Sequence, residues 1–176
     1  MNNSQDLIHY IGFAEKLLHE LHIPYQQVVI DEKPELKGLF SLYVYEASFC
    51  KEKTRILTLP QYLITDKASV LPSACLVLLH LIHQAAHAVN PTLEPERLQR
   101  CQEVKGSSSD YPLVFQQAFL EEETQALETG LALIEQLDTS YIQWATGNPS
   151  IEKFQQLYTG FMQYMLCQYK DEEVKS

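Results

Sequence analysis

The chain has 176 residues, a formal net charge of −10 and 45% apolar residues, enough for one domain with a sizeable core. The acidic balance excludes the basic surface that nucleic acids require and disfavours anionic membranes. No apolar run reaches the roughly 18 residues of a membrane span.

In chain order, Ser4 suits the N-cap of a helix running to about Leu21, with Leu7, Ile11, Ala14, Leu17, Leu18 and Leu21 on one stripe. This periodic start, without a basic leader, reads as a helix and not as an export signal. Pro24 marks its end. Tyr25–Ile30 is β-prone, Asp31–Gly38 is turn-like, and Leu39–Ala47 and Thr54–Leu59 read as strands. A helix follows Pro72 and stops at Asn90-Pro91. Glu94–Val104 reads as a short helix and Lys105–Asp110 as a loop. Pro112 opens a long helix to about Leu137. Asp138–Pro149 is expected as a loop, and Ile151–Tyr169 as an amphipathic helix with Ile151, Phe154, Leu157, Phe161 and Met165 on its stripe. A helix, three strands and then only helices predict an α+β fold. Cys50, Cys75, Cys101 and Cys167 are scattered, with no C-x-x-C pair, which fits reduced thiols in a cytoplasm.

The segment Leu76–Val89, LVLLHLIHQAAHAV, is apolar nearly all round, as a buried helix is. It nevertheless carries His80, His83 and His87, and buried imidazoles need partners. His83 and His87, four apart, share a helical face. Two histidines at this spacing are the metal-binding half of H-E-x-x-H, but here the motif is His83-Gln84-Ala85-Ala86-His87. A zinc ion held by two histidines needs a further ligand. The best source is the run Glu121, Glu122, Glu123, of which at most one or two can face the core.

These residues resemble the gluzincin branch of the zincin metallopeptidases, where a glutamate on a later helix completes the site and a small residue follows three positions on. Glu123-Thr124-Gln125-Ala126 matches that pattern, with Glu122 as the fallback ligand. The layout of residues 5–137 is similar to the compact ImmA/IrrE-type domains. The resemblance implies a single zincin-like domain over residues 1–170, followed by a charged, disordered tail over 171–176. It implies an N-terminal helix and a sheet of three or more strands, then the active-site helix and a helical C-terminal half. It also implies a Zn2+ ion on His83, His87 and Glu123, and a peptide or protein substrate. Two positions depart from the family. Gln84 stands where the general-base glutamate belongs, and Leu127 where relatives often carry a polar residue that orients a histidine ligand. A neutral amide can hydrogen-bond water but cannot take its proton, and a positioned base is worth on the order of 10²–10⁴ in rate. A natural pseudo-protease and a Glu-to-Gln change made to trap substrate would both give this sequence.

Other readings of the same residues stand beside this one. His83 and His87 could be core histidines satisfied by backbone carbonyls or by Glu122 and Glu123. His80 reads as a core residue or as one that orients a ligand. His9, His19 and His22 read as surface or interface residues. The three glutamates also suit an acidic first turn of a helix. A non-catalytic protein-interaction module on a zincin scaffold, with the C-terminal helix as its contact, is the alternative to a metallopeptidase.

Overall fold

α1 (Asn3–Glu20) forms on the expected stripe, and Ala14, Leu17, Leu18 and Leu21 are buried along it. The helix stops because His22 takes a left-handed conformation (φ 55°). The Ile23 amide then donates to the Leu18 carbonyl (2.8 Å) and the His22 amide to that of His19 (3.1 Å), the two bonds of a Schellman ending. His9, His19 and His22 are all exposed, as expected. His9 lies beside the Trp144 ring, with centroids 5.8 Å apart.

The computed structural model describes residues 3–23, 25, 27–31, 56–65, 69–89 and 111–172. The strand expected at 39–47, the short helix at 94–104 and the loop at 105–110 lie outside these residues. Within them the chain is mostly helical. β1 (Gln27–Asp31) and β2 (Ile56–Pro60) pair in parallel, from Gln27 opposite Ile56 to Asp31 opposite Pro60. Pro60 falls on the last residue of the strand, where its missing N–H is tolerated. Val28, Leu57 and Leu59 carry the pair into the core. A one-turn helix, α2 (Gln61–Thr65), leads on toward the next element.

α3 (Ser73–Val89) is the buried helix that its composition predicts. Twelve of its residues are buried, from Cys75 to Ala88, so no face is given to solvent over most of its length. The Pro72 carbonyl accepts from the Cys75 and Leu76 amides, and the Ser73 hydroxyl donates to the Ile64 carbonyl. These contacts fix the start of α3 against α2. Cys75 is a free, buried thiol.

α4 (Tyr111–Gln136) packs along α3, and α6 (Ile151–Glu172) packs along α4. Between them lies α5 (Thr139–Thr146), where the sequence reading places only a loop. This corrects the expectation for 138–149. Asp138 caps the helix by accepting from the Ser140 amide (2.7 Å), and Gly147 closes it in the left-handed conformation (φ 73°). Tyr141, Ile142 and Ala145 are its buried face. The Tyr141 hydroxyl donates to the Glu20 carboxylate (2.7 Å), tying α5 to the end of α1.

The buried line of α6 also differs from the expected stripe. Phe154, Tyr158 and Met162 are fully buried, while Ile151, Leu157 and Phe161 flank them. The helix continues through Glu172, two residues into the expected tail. Among the described residues no helix is long and apolar enough to cross a membrane.

Candidate metal centre

α3 and α4 bring together the residues that their sequences single out. His83 and His87 project from one face of α3, and Glu123 meets them from α4. The His83 Nε2 atom lies 3.3 Å from His87 Nε2 and 3.7 Å from one Glu123 oxygen. His87 Nε2 lies 3.5 Å from the other oxygen. An ion with tetrahedral bonds of about 2.0–2.1 Å separates its ligand atoms by about 3.3–3.4 Å. The Nε2–Nε2 separation matches that edge length, and the two carboxylate distances, which run to different oxygens of Glu123, are somewhat longer.

A hydrogen bond can join the two histidines at 3.3 Å, but it does not account for the approach of Glu123. Distances of 3.5 and 3.7 Å between nitrogen and oxygen are beyond good hydrogen-bond geometry. His83 is held well below the ordinary histidine pKa, first by burial and then by the neighbouring His87 and His80. It is therefore neutral at physiological pH, with a lone pair on one ring nitrogen. Neutral imidazole is the form that ligates metals. His83 Nδ1 and one Glu123 oxygen are buried without a hydrogen-bond partner. The donor set of two imidazoles and a carboxylate suits a zinc ion, which could be held by His83, His87 and Glu123.

The group is largely buried. His83 is 1% and Glu123 3% exposed, and only the His87 side chain reaches solvent, at 14%. The His83 and His87 rings stand edge to face, 4.5 Å between centroids. Phe161 of α6 covers the outer side of His83 at 6.4 Å. Gln84, the neighbour of His83, is buried too, and its Oε1 has no hydrogen-bond partner. His80 is buried but does not join the converging group. Glu122 follows Glu121 in α4, and its side chain lies outside the described residues. The glutamates fall well inside α4, so the expectation of an acidic first turn does not hold.

Leu127 sits one turn beyond Glu123 and packs partly buried against the core. A hydrocarbon there offers no acceptor to a histidine ring. The sequence reading misses two residues of this region, Tyr158 and Gly130. The Tyr158 hydroxyl donates to the Ala126 carbonyl (3.1 Å), and a Cβ added at Gly130 would collide with the phenol. A glycine inside an otherwise regular helix is the signal that could have found them, since it costs about 1 kcal/mol against alanine and calls for a packing reason.

Comparison of the chain with protein-family models, with curated proteins and with solved structures gives no match. The gluzincin resemblance rests on the sequence motif alone.

Proposed function

We propose that the protein is a zinc metallopeptidase-like protein of zincin architecture that acts on a peptide or protein and is catalytically impaired at Gln84. The observation that carries this reading is the convergence of His83, His87 and Glu123, whose candidate ligand atoms all lie within 4.8 Å of one another. Zinc held there would polarise a carbonyl and lower the pKa of water toward about 7. The chain's own residues divide the remaining tasks. His83 and His87 supply neutral nitrogen donors and Glu123 the one negative charge among the three. Gln84, one residue from a ligand, can offer a hydrogen bond through its carboxamide but has no basic site to accept a proton. Binding would therefore survive while turnover would be slow.

The same site supports a second reading, a non-catalytic interaction module on this scaffold. It is favoured by the neutral side chain at position 84 and by the unpartnered Nδ1 of His83, since ligand histidines in zinc enzymes usually donate that proton to an acceptor. The Gln84→Glu protein separates the two. A partner is first captured with the unaltered protein, then offered to the zinc-loaded Gln84→Glu protein, and cleavage is followed by mass spectrometry. Recovery of cleavage by about 10²–10⁴ over the unaltered protein supports the disabled peptidase. A folded, zinc-loaded Gln84→Glu protein that leaves a confirmed partner intact supports the interaction module.

A further inference from the structure

The last helix, α6, packs on the helix that carries Glu123. α6 approaches the site through two side chains. Phe161 stands edge to face with the His83 ring, 6.4 Å between centroids, and the Tyr158 hydroxyl bonds the α4 backbone three residues beyond Glu123. Tyr158 is fully buried, and its phenol is held neutral, first by burial and then by the Glu123 carboxylate.

The hydroxyl of Tyr158 nevertheless does not donate to that carboxylate. It donates to the Ala126 carbonyl, one turn further along α4 (3.1 Å). One Glu123 oxygen is left without any hydrogen-bond donor. This arrangement depends on Gly130. Any side chain there would occupy the space of the phenol ring and hydroxyl, so Gly130 is what lets the ring reach the α4 backbone. The phenol fixes the rotation and register of α4 at the turn that carries Glu123. It does so without competing for the lone pairs that face His83 and His87.

We propose that Tyr158 is a positioning residue for Glu123, seated in the gap left by Gly130 and anchored on the Ala126 carbonyl. The inference rests on the reading of His83, His87 and Glu123 as metal ligands. Residues that orient a metal ligand typically affect affinity by about 10–100-fold when altered. Tyr158→Phe removes a single oxygen atom, keeps the ring, and frees α4 from its anchor.

The experiment measures zinc affinity of the whole folded protein by competition with a chromophoric chelator, together with the d–d spectrum of its Co2+ form. Tyr158→Phe is expected to weaken zinc binding by about 10–100-fold and to change the Co2+ spectrum. Gly130→Ala, which displaces the phenol, should move both readouts the same way. Gly147→Ala strains the exposed left-handed cap of α5 and serves as the comparison. It should lower stability and leave zinc affinity and the Co2+ spectrum as they are. A Tyr158→Phe protein whose affinity stays within twofold and whose spectrum is unchanged overturns the inference alone. So does a loss of affinity that Gly147→Ala reproduces at equal loss of stability. An unaltered protein that takes up neither Zn2+ nor Co2+ overturns the metal reading and this inference with it.

Discussion

Among the described residues three glycines lie inside helices, and the same substitution should have opposite consequences among them. Gly12 in α1 and Gly160 in α6 are exposed, and a Cβ added to either meets nothing within 4 Å. At these positions Gly→Ala should raise stability by about 0.5–1 kcal/mol, because alanine loses less backbone freedom on folding. At Gly130 the added methyl would lie 2.6 Å from Tyr158 Cε1 and closer still to the hydroxyl. The intrinsic gain of about 1 kcal/mol is still present. Against it stand overpacking, at about 1–3 kcal/mol, and loss of the buried hydroxyl's bond to Ala126, at about 1 kcal/mol. If the ring is expelled, the loss approaches the roughly 3–5 kcal/mol of deleting a buried aromatic. The net expectation for Gly130→Ala is a destabilisation of about 1–4 kcal/mol, or a fall in Tm of about 2–16 °C for a domain of this size. Urea and thermal unfolding of the three single variants, followed by circular dichroism, give the comparison. A Gly130→Ala protein as stable as Gly12→Ala would refute the slot for Tyr158 and the α4–α6 packing built on it.

Other expectations follow from the site and the core. Adding zinc to the metal-free protein at about 100 times its Kd should stabilise it by about 2.7 kcal/mol, a rise in Tm of about 5–11 °C that a chelator reverses; Glu123→Gln should abolish that rise while making the metal-free form more stable. A melting temperature indifferent to zinc, cobalt and chelator alike would remove the metal centre. Burial pushes the Cys75 thiol up to about 11 from 9.0, so a thiol reagent at pH 8 should label it only on unfolding. Because the folded value is the higher one, its contribution to stability is complete below pH 9 and is lost as pH rises toward 11. A Cys75→Ala protein should show a weaker loss of stability across that interval, and an unchanged one would contradict the burial argument.

The parts of this protein that were legible in the sequence are those set by short-range pattern. Ser73–Val89 could be read as a buried helix because it is apolar on all sides and Pro72 and Pro91 bracket it. The ligand set could be proposed because i,i+4 spacing places His83 and His87 together whatever the tertiary fold. Its third member, Glu123, came from the resemblance and not from periodicity. α5 was hidden by its own caps. Asp138 before it, Thr139 and Ser140 in its first turn, and Gly147, Asn148 and Pro149 after it are all turn-forming residues. Between them only a few apolar positions remain to betray an eight-residue helix. The line of α6 was misjudged for a geometric reason. The expected stripe advances by threes and fours, whereas Phe154, Tyr158 and Met162 follow a single i, i+4, i+8 ridge of the helix. The parallel pairing of β1 with β2 and the meeting of Tyr158 with Gly130 join residues distant in sequence, and no local pattern encodes either.

The energetics of His83, His87 and Glu123 bear on the proposal that these three act as ligands. Removing a carboxylate from water costs several kcal/mol unless charge or hydrogen bonds replace the lost hydration. Glu123 is 3% exposed, and one of its oxygens has no donor. A proton shared between the two histidine Nε2 atoms, 3.3 Å apart, would satisfy that edge and leave the carboxylate uncompensated. A proton placed between His87 and Glu123 would satisfy the carboxylate but leave His83 unpaired, and a charged imidazolium at His83 is opposed by its burial. An apolar residue in place of Glu123 would avoid the cost altogether, as replacements of buried ion pairs often do. A divalent cation would answer all three side chains at once, because it accepts two neutral lone pairs and one negative charge at a single point. On this argument, metal affinity and folding stability draw on the same three side chains. Glu123→Gln should therefore move the two in opposite directions, whereas a carboxylate serving only the packing of α3 against α4 would move stability alone.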